Sequence, residues 1–435
     1  MKKYMFRYMI IAPVVLYMIN SLQAQIELPT DEIYNWNTIA TSFVTKNGSG
    51  HDGIPPMVES RIYAMTFIAM HDVINHISPK YKTYTPFNKG WHTANLNAAI
   101  AQASFEILSH ELPQELEMYK AELERSFNKI KEGDAKSQGI SLGNKIAAAI
   151  LKLRIDDNSA VAQYPIEPGT KPGEYVFTGP FAGPPFNTPP SKGFIATPGW
   201  RAVKPFGVIS VYPYLPAENP YPLTSKKYAK DYNEIKSQGC MECPRRTNDQ
   251  KEYALFWSES SCLGWNKIAS QVSKKEKMAA HEIARMFALL HIGIADSYIL
   301  SMEAKMKYYT WRPVTAIQQG DLDNNNLTSP DQGWKELGYP TVPVPEFPSA
   351  HANAGGAAAA ILVKIFKKDQ MKFTLTSTIT PGVTRSFTSF TSAARENSNS
   401  RIYLGYHFRQ AVEIGEAMGI KLGNFIAKNA LPLIK

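Results

Sequence analysis

The hydrophobic positions fall into three zones along the chain. Between about residue 31 and residue 160 they recur at helical spacing. ESRIYAMTFIAMHDVINHI (59–77), LNAAIAQASFEILSHEL (96–112) and AKSQGISLGNKIAAAILKLR (135–154) each set apolar side chains at i, i+3 and i+4, which predicts amphipathic helices. From about 160 to 225 the pattern breaks. YPIEPGTKPGEYVFTGPFAGPPFNTPPSKGFIATPGW is crowded with Pro and Gly, which excludes long helices there. Its Phe, Tyr and Trp need apolar surface to bury against, so it predicts an ordered excursion and not a flexible linker. From about 224 helices return. MAAHEIARMFALLHIGIADSYILSMEAKMKYYTW (278–311) predicts a long, mostly buried helix that stops at Pro313. Strand alternation is scarce, and FGVISVYPYL (206–215) is its best candidate. The predicted class is mainly α, built as helical bundles. The predicted organisation is an N-terminal helical region (25–160), the Pro/Gly-rich excursion (161–225) and a C-terminal helical region (226–435).

The first residues change that picture. Lys2, Lys3 and Arg7 precede the short apolar stretch IIAPVVLYMI, and SLQA follows, ending in the small Ala24. This is the pattern of a secretory signal peptide over residues 1–24, cut before Gln25. The apolar run is short of the roughly 20 residues a membrane span needs. The expectation is a secreted or periplasmic protein with no stable membrane span after cleavage.

Charge narrows the partners. The chain carries 47 Lys and Arg against 38 Asp and Glu, a net +9. Loss of residues 1–24 removes three of those cations and no acid, leaving a net +6. A mildly basic surface suits an anionic ligand, but no dense Lys/Arg run or nucleic-acid motif is present, so no nucleic-acid partner is expected. The three cysteines are Cys240, Cys243 and Cys262. In an oxidising compartment Cys240 and Cys243 can close a small disulfide; plain thiols are the alternative.

Three separated stretches carry candidate chemistry. In KMKYYTWRP, Lys305 and Arg312 are seven residues apart, close to two helical turns, which puts both cations on one face. Pro313 disfavours helix at Arg312, so the helix is expected to end there. In PSAH, Pro348 and Ser349 suit a helix start, and the run Ala352 to Ala360 allows close helix packing. A helix start is an anion site because its first N–H groups lack partners. In SNSRIYLGYHF, Arg401 and His407 are six apart and share no helical face, and Gly405 permits a turn that brings them together.

Taken in order, K-x6-R-P, P-S-x-H and S-R-x5-H resemble the signature shared by the vanadium-dependent haloperoxidases and the type 2 phosphatidic acid phosphatase (PAP2) superfamily. WNTIA (36–40), IPPMVESRIYAMTFIAMHDVIN (54–75), YAKDYNEIKSQG (228–239) and RRTNDQKEYALFWSES (245–260) resemble the bacterial, secreted branch of that group, so the likeness covers most of the mature chain. The resemblance implies a vanadate cofactor held by Lys305, Arg312 and Arg401, by the Ser349 hydroxyl and by the backbone N–H of Ala350. It implies that His407 is the vanadium ligand and that His351 is the acid–base group that helps protonate bound peroxide. The implied reaction is oxidation of halide by hydrogen peroxide, with a small organic acceptor. The same pocket in a phosphatase acts on phosphate esters with His407 as nucleophile. A third reading is an oxyanion-binding protein without turnover. Large helical surfaces also leave room for a homodimer.

Several positions depart from the pattern. Ala350 stands where many relatives have Gly. Ala411 stands where phosphatases have the Asp that orients the second His, which counts against efficient phosphatase action; Glu413 is the candidate substitute. Val344 stands where some haloperoxidases have an aromatic residue or His. Asp296, an acid inside an apolar helix, needs a partner, and the options are Arg401 or a hydrogen bond within the bundle. The pairs His51–Asp52 and His71–Asp72 have no further ligands at metal-binding spacing. His76, His92, His110, His281 and His291 are read as structural.

Overall fold

Helices account for nearly all regular structure in the computed structural model, which describes residues 28–47, 54–86, 89–178 and 194–434. The signal-peptide pattern, the His51–Asp52 pair and part of the Pro/Gly-rich excursion lie outside the described residues. The first group comprises α1 (Asp31–Asn47), α2 (Pro56–Ile77), α3 (Leu96–Glu111), α4 (Leu116–Asn128) and α5 (Asp134–Arg154). After the excursion come α6 (Lys226–Gln238), α7 (Asn248–Phe256), α8 (Ser261–Lys275), α9 (Ala280–Tyr308), α10 (Pro313–Gln318) and α11 (Ala350–Phe366). A two-stranded antiparallel hairpin, β1 (Gln370–Thr376) and β2 (Thr384–Ser389), leads to α12 (Phe390–Tyr403) and α13 (Arg409–Asn429). The mainly α class expected from periodicity is what the chain adopts.

The first hydrophobic group packs α2 on α3 and α3 on α5, and α2 also lies along α9. α9 is buried on nearly every side, which is why its sequence is apolar all round. It is long and apolar enough to cross a membrane by composition, but 94% of its apolar window is buried inside the protein, so it is the central core helix. α11 packs on α9, α12 and α13.

The run of tiny residues in α11 has a steric cause. Gly415, Gly419 and Gly423 of α13 recur every four residues and face Ser349, Asn353 and Ala357. A Cβ on Gly419 would sit 2.0 Å from the Asn353 carbonyl oxygen, and one on Gly423 would sit 2.5 Å from that of Ala357. From the other side, a Cβ on Gly356 would sit 2.4 Å from the Glu416 carbonyl oxygen. The two backbones therefore touch, and the start of α11 is fixed against α13.

The described part of the excursion is ordered, as its aromatic content predicts. Trp311 N–H donates to Gly173 O at 2.9 Å, and Tyr175 N–H donates to Tyr309 O at 2.8 Å. Further along, Ala196 N–H donates to Pro343 O at 2.8 Å. The expected strand at 206–215 does not form. Phe206 and Gly207 instead bring their N–H groups onto the Asp296 carboxylate, each at 2.7 Å, and a single 3-10 turn follows at Tyr212–Tyr214. Two buried N–H donors replace ladder pairing there. The strands that do form had no sequence expectation, although β1 alternates strictly, with Met371, Phe373 and Leu375 buried between exposed polar residues.

Candidate functional site

α9 ends earlier than Pro313. Its last residue is Tyr308, and Tyr309 turns left-handed with φ 50°, its N–H closing on Lys305 O at 2.9 Å. Lys305 and Arg312 therefore do not share a helical face. Lys305 projects from the last turn of α9, and Arg312 is the N-cap residue of α10 with extended backbone. The segment between them is not helical, and both cations still line one cavity.

Ser349 is the N-cap of α11 and its hydroxyl accepts the Ala352 N–H at 3.3 Å. Ala350 and His351 are the first two helical residues, so their N–H groups have no carbonyl inside the helix. α12 carries Arg401 near its end. Gly405 then takes φ 81°, and the Tyr406 and His407 N–H groups both return to Arg401 O, at 3.0 and 3.3 Å. Only a residue free to adopt positive φ makes this turn cheaply, and it folds His407 back beside Arg401.

These elements enclose a cavity of about 560 Å³ whose wall includes Lys305, Arg312, Ala350, His351, Arg401 and His407. Ser349, fully buried, stands immediately before two of these wall residues. The three motifs, spread over a hundred residues of sequence, thus meet in one pocket. Its remaining wall is largely apolar, with Pro55, Pro56, Met57, Val342, Pro343 and Val344.

The electrostatics are lopsided. Lys305, Arg312 and Arg401 are 1%, 0% and 5% exposed. Lys305 Nζ donates to the carbonyls of Pro345 and Glu346 at 2.6 and 2.9 Å, which leaves one of its three donors. Arg312 Nε donates to Val344 O at 2.7 Å and Nη1 to Tyr406 O at 2.8 Å, while Nη2 is buried with no partner. Arg401 Nε donates to Ser400 Oγ at 2.9 Å and its Nη2 to Trp257 O at 2.6 Å. Burial, followed by the charge of Arg312, holds the Lys305 ammonium well below its ordinary pKa. Burial likewise lowers Arg401, to about 10.

His407 has a fixed tautomer. Arg312 Nη1 lies 3.0 Å from its Nε2, and a guanidinium can only donate, so Nε2 carries the lone pair. The Nδ1–H then donates to Glu346 Oε1 at 3.1 Å. That same oxygen accepts the Phe408 N–H at 3.0 Å. Burial first, then Arg312, Lys305 and Arg401, push the His407 pKa well down, so the imidazole is neutral. Burial raises Glu346 to about 7, opposed by Lys305 and Arg312. His351 is also held well below its ordinary value, by burial and then by Arg401. Its Nδ1 is 3.0 Å from Ser261 Oγ, and its Nε2 has no hydrogen-bond partner.

Two expectations are corrected here. Glu413 does not substitute for the missing Asp at Ala411: it lies 3.8 Å from Arg409 on the surface of α13, and Glu346 fills the role. Asp296 does not brace Arg401; its two oxygens are taken by the Phe206 and Gly207 N–H groups. Sequence reading missed Glu346 and Ser261. Glu346 had a signal, as the one acid in the apolar run TVPVPEFPSA. Ser261 had none. Among the other candidates, Cys240 and Cys243 form a disulfide and Cys262 is a buried free thiol. Asp72 accepts the N–H groups of Tyr84 and Thr85 and pins that loop, and no cluster of three metal-ligating side chains exists among the described residues.

Comparison with known proteins bears on this geometry. Residues 285–435 match the family described as the VCPO second helical-bundle domain. A solved bacterial vanadium-dependent iodoperoxidase superposes with a TM-score of 0.77, covering 94% of this chain and 99% of that one at 22% identity. The chain has the fold of the vanadium haloperoxidases. A holo-type bacterial vanadium-dependent chloroperoxidase shares this haloperoxidase fold with a TM-score of 0.69 at 16% identity, over 93% of this chain and 98% of that one. In sequence, the vanadium chloroperoxidase of Curvularia inaequalis is 26% identical over 226 residues, 38% of this chain. That match spans 36% of the relative's length.

The site fits the oxyanion cofactor such proteins are named for. Three buried cations line the cavity, while its lining carboxylate, Glu259, is paired with Lys267 at 2.7 Å and Glu346 is held by His407 and the Phe408 N–H; a buried guanidinium nitrogen has no partner, and the start of a helix opens on the same cavity. Buried charge of one sign in excess requires a counter-charge, and a tetrahedral anion supplies several acceptors at once.

Proposed function

We propose that this chain is an exported vanadium-dependent haloperoxidase that oxidises halide with hydrogen peroxide. Vanadate, when bound, supplies a Lewis acid that activates peroxide without changing oxidation state. The observation that carries the reading is the unpartnered Arg312 Nη2 among three buried cations. Lys305, Arg312 and Arg401 bind the anion's oxygens, with Ser349 and the Ala350 N–H as neutral donors. His407 would offer the Nε2 lone pair as ligand, in the tautomer that Glu346 fixes, once Arg312 Nη1, from which it accepts at 3.0 Å, turns to the anion. His351 stands at the cavity wall as the group that exchanges a proton with peroxide. The cations stabilise developing negative charge as a preorganised clamp. The apolar wall at Pro343 and Val344 admits a small organic acceptor.

A second reading has its own support. The Glu346–His407 pair orients an imidazole as a phosphatase nucleophile requires, so Ala411 no longer counts against phosphate-ester hydrolysis through His407. Assays of iodide oxidation and of p-nitrophenyl phosphate hydrolysis on one preparation, with and without orthovanadate, separate the two. The haloperoxidase predicts vanadate-dependent iodide oxidation and little phosphate release. Strong phosphate release by the vanadate-free protein would replace it with the phosphatase. Vanadate binding with neither activity would leave a non-catalytic oxyanion binder.

A further inference from the structure

Of the two imidazoles that line the cavity among the described residues, His351 has a buried ring nitrogen, Nε2, with no hydrogen-bond partner. Its other nitrogen, Nδ1, is 3.0 Å from the hydroxyl of Ser261, the first residue of α8. Ser261 is 2% exposed and lines the cavity. Tyr298 of α9, 4% exposed, lines the same cavity. Burial keeps Tyr298 firmly protonated, so its O–H remains a donor. A serine oxygen that accepts a hydrogen bond retains its own O–H for another acceptor.

We propose that Ser261 is a positioning residue that donates its hydroxyl to His351 Nδ1 and so holds His351 as the Nε2–H tautomer, its donor face turned to the oxyanion cavity. The proposal deepens the haloperoxidase reading and rests on it for its kinetic consequence. The physical reason is local. A neutral imidazole presents either a donor or a lone pair to the cavity. A lone pair aimed at an anion is repulsive, and a donor is attractive. Among the described residues Ser261 makes the one close side-chain hydrogen bond to the ring, at Nδ1. The Trp257 carbonyl and Asn397, which favour a proton on His351, act against burial and Arg401.

The test uses the mature protein with ¹⁵N-labelled histidine and the variants Ser261→Ala and Ser261→Thr. The His351 resonances are assigned with His351→Gln. In the wild type, Nε2 is expected as the protonated nitrogen and Nδ1 as the bare one. Ser261→Ala is expected to give a tautomer mixture and Ser261→Thr to restore the single form. Iodide oxidation should fall roughly tenfold in kcat in Ser261→Ala, with vanadate affinity nearly unchanged, and should return in Ser261→Thr. A wild-type Nδ1–H tautomer, or an unaltered tautomer and rate in Ser261→Ala, would overturn the proposal. If the wild type oxidises no halide, the haloperoxidase reading falls, and the tautomer of His351 still decides this inference.

Discussion

Glu346 Oε1 lies 3.1 Å from His407 Nδ1, and the two side chains are 4% and 5% exposed. The contact decides which imidazole nitrogen faces the anion cavity. Removing the carboxylate with Glu346→Ala frees the ring to turn. Vanadate affinity should then fall by roughly 10- to 100-fold, the usual cost of losing an outer partner of a ligating histidine. Equilibrium dialysis with orthovanadate measures it, and Glu346→Gln, which keeps an acceptor oxygen, should lose less.

Arg312 combines support and recognition. Arg312→Lys keeps a positive charge but loses the planar fork that reaches Val344 O, Tyr406 O and the open cavity at once. Oxyanion affinity should drop at least about tenfold, with a smaller loss of thermal stability. Tungstate titration by calorimetry and a melting curve report the two effects separately.

Anion binding should couple to proton uptake. Lys305 and His351 are both depressed, primarily by burial, and a bound anion raises both of them. Glu346, raised to about 7, gains negative charge as pH rises through that value. Both effects have one sign, so affinity for tungstate should weaken from neutral to alkaline pH. Calorimetry in buffers of different ionisation enthalpy measures the protons taken up. Affinity that strengthens with pH would be inconsistent with these shifts.

Asp296 gives a stability signature. Burial raises its pKa from 3.8 to about 6, against the opposing Phe206 and Gly207 N–H groups. A carboxyl raised in the folded state favours folding while protonated, and that contribution is lost as pH climbs from about 4 to about 6. The stability of the wild type relative to Asp296→Asn should therefore decline across this window. Denaturant melts of both proteins at several pH values test the difference.

The α11–α13 seam leaves no room for a methyl group. Gly419→Ala places a Cβ where the Asn353 carbonyl oxygen is 2.0 Å away. Overpacking of this kind costs about 1–3 kcal/mol. Because α11 begins with Ser349, Ala350 and His351, the variant should also bind vanadate more weakly. A melting curve and a vanadate titration together show whether both follow.

Much of this was legible in the chain itself. Long apolar periodicity gave α2, α3, α5 and α9, because helices that bury one face must repeat at 3.6 residues. The Lys305, Arg312, Ser349, His351, Arg401 and His407 constellation was legible through the resemblance of three motifs in order to a family signature, since each stretch alone is equally a surface helix, a capped core helix or a turn. What escaped were relationships set by tertiary folding. Glu346 and His407 are 61 residues apart, and Ser261 and His351 are 90 apart. No local pattern encodes such pairings. The end of α9 was misplaced because Tyr309 adopts a left-handed cap that a tyrosine rarely takes. The strand expected at 206–215 lost its backbone donors to Asp296, a partner more than eighty residues away.

Vanadium content per chain, measured after orthovanadate loading and dialysis, tests the central claim most directly. The comparison is between wild type and His407→Ala. Wild-type protein should retain one equivalent, and the variant should retain almost none while still folding. Wild-type protein that holds no vanadium, or a His407→Ala variant that holds it as tightly, would contradict the account.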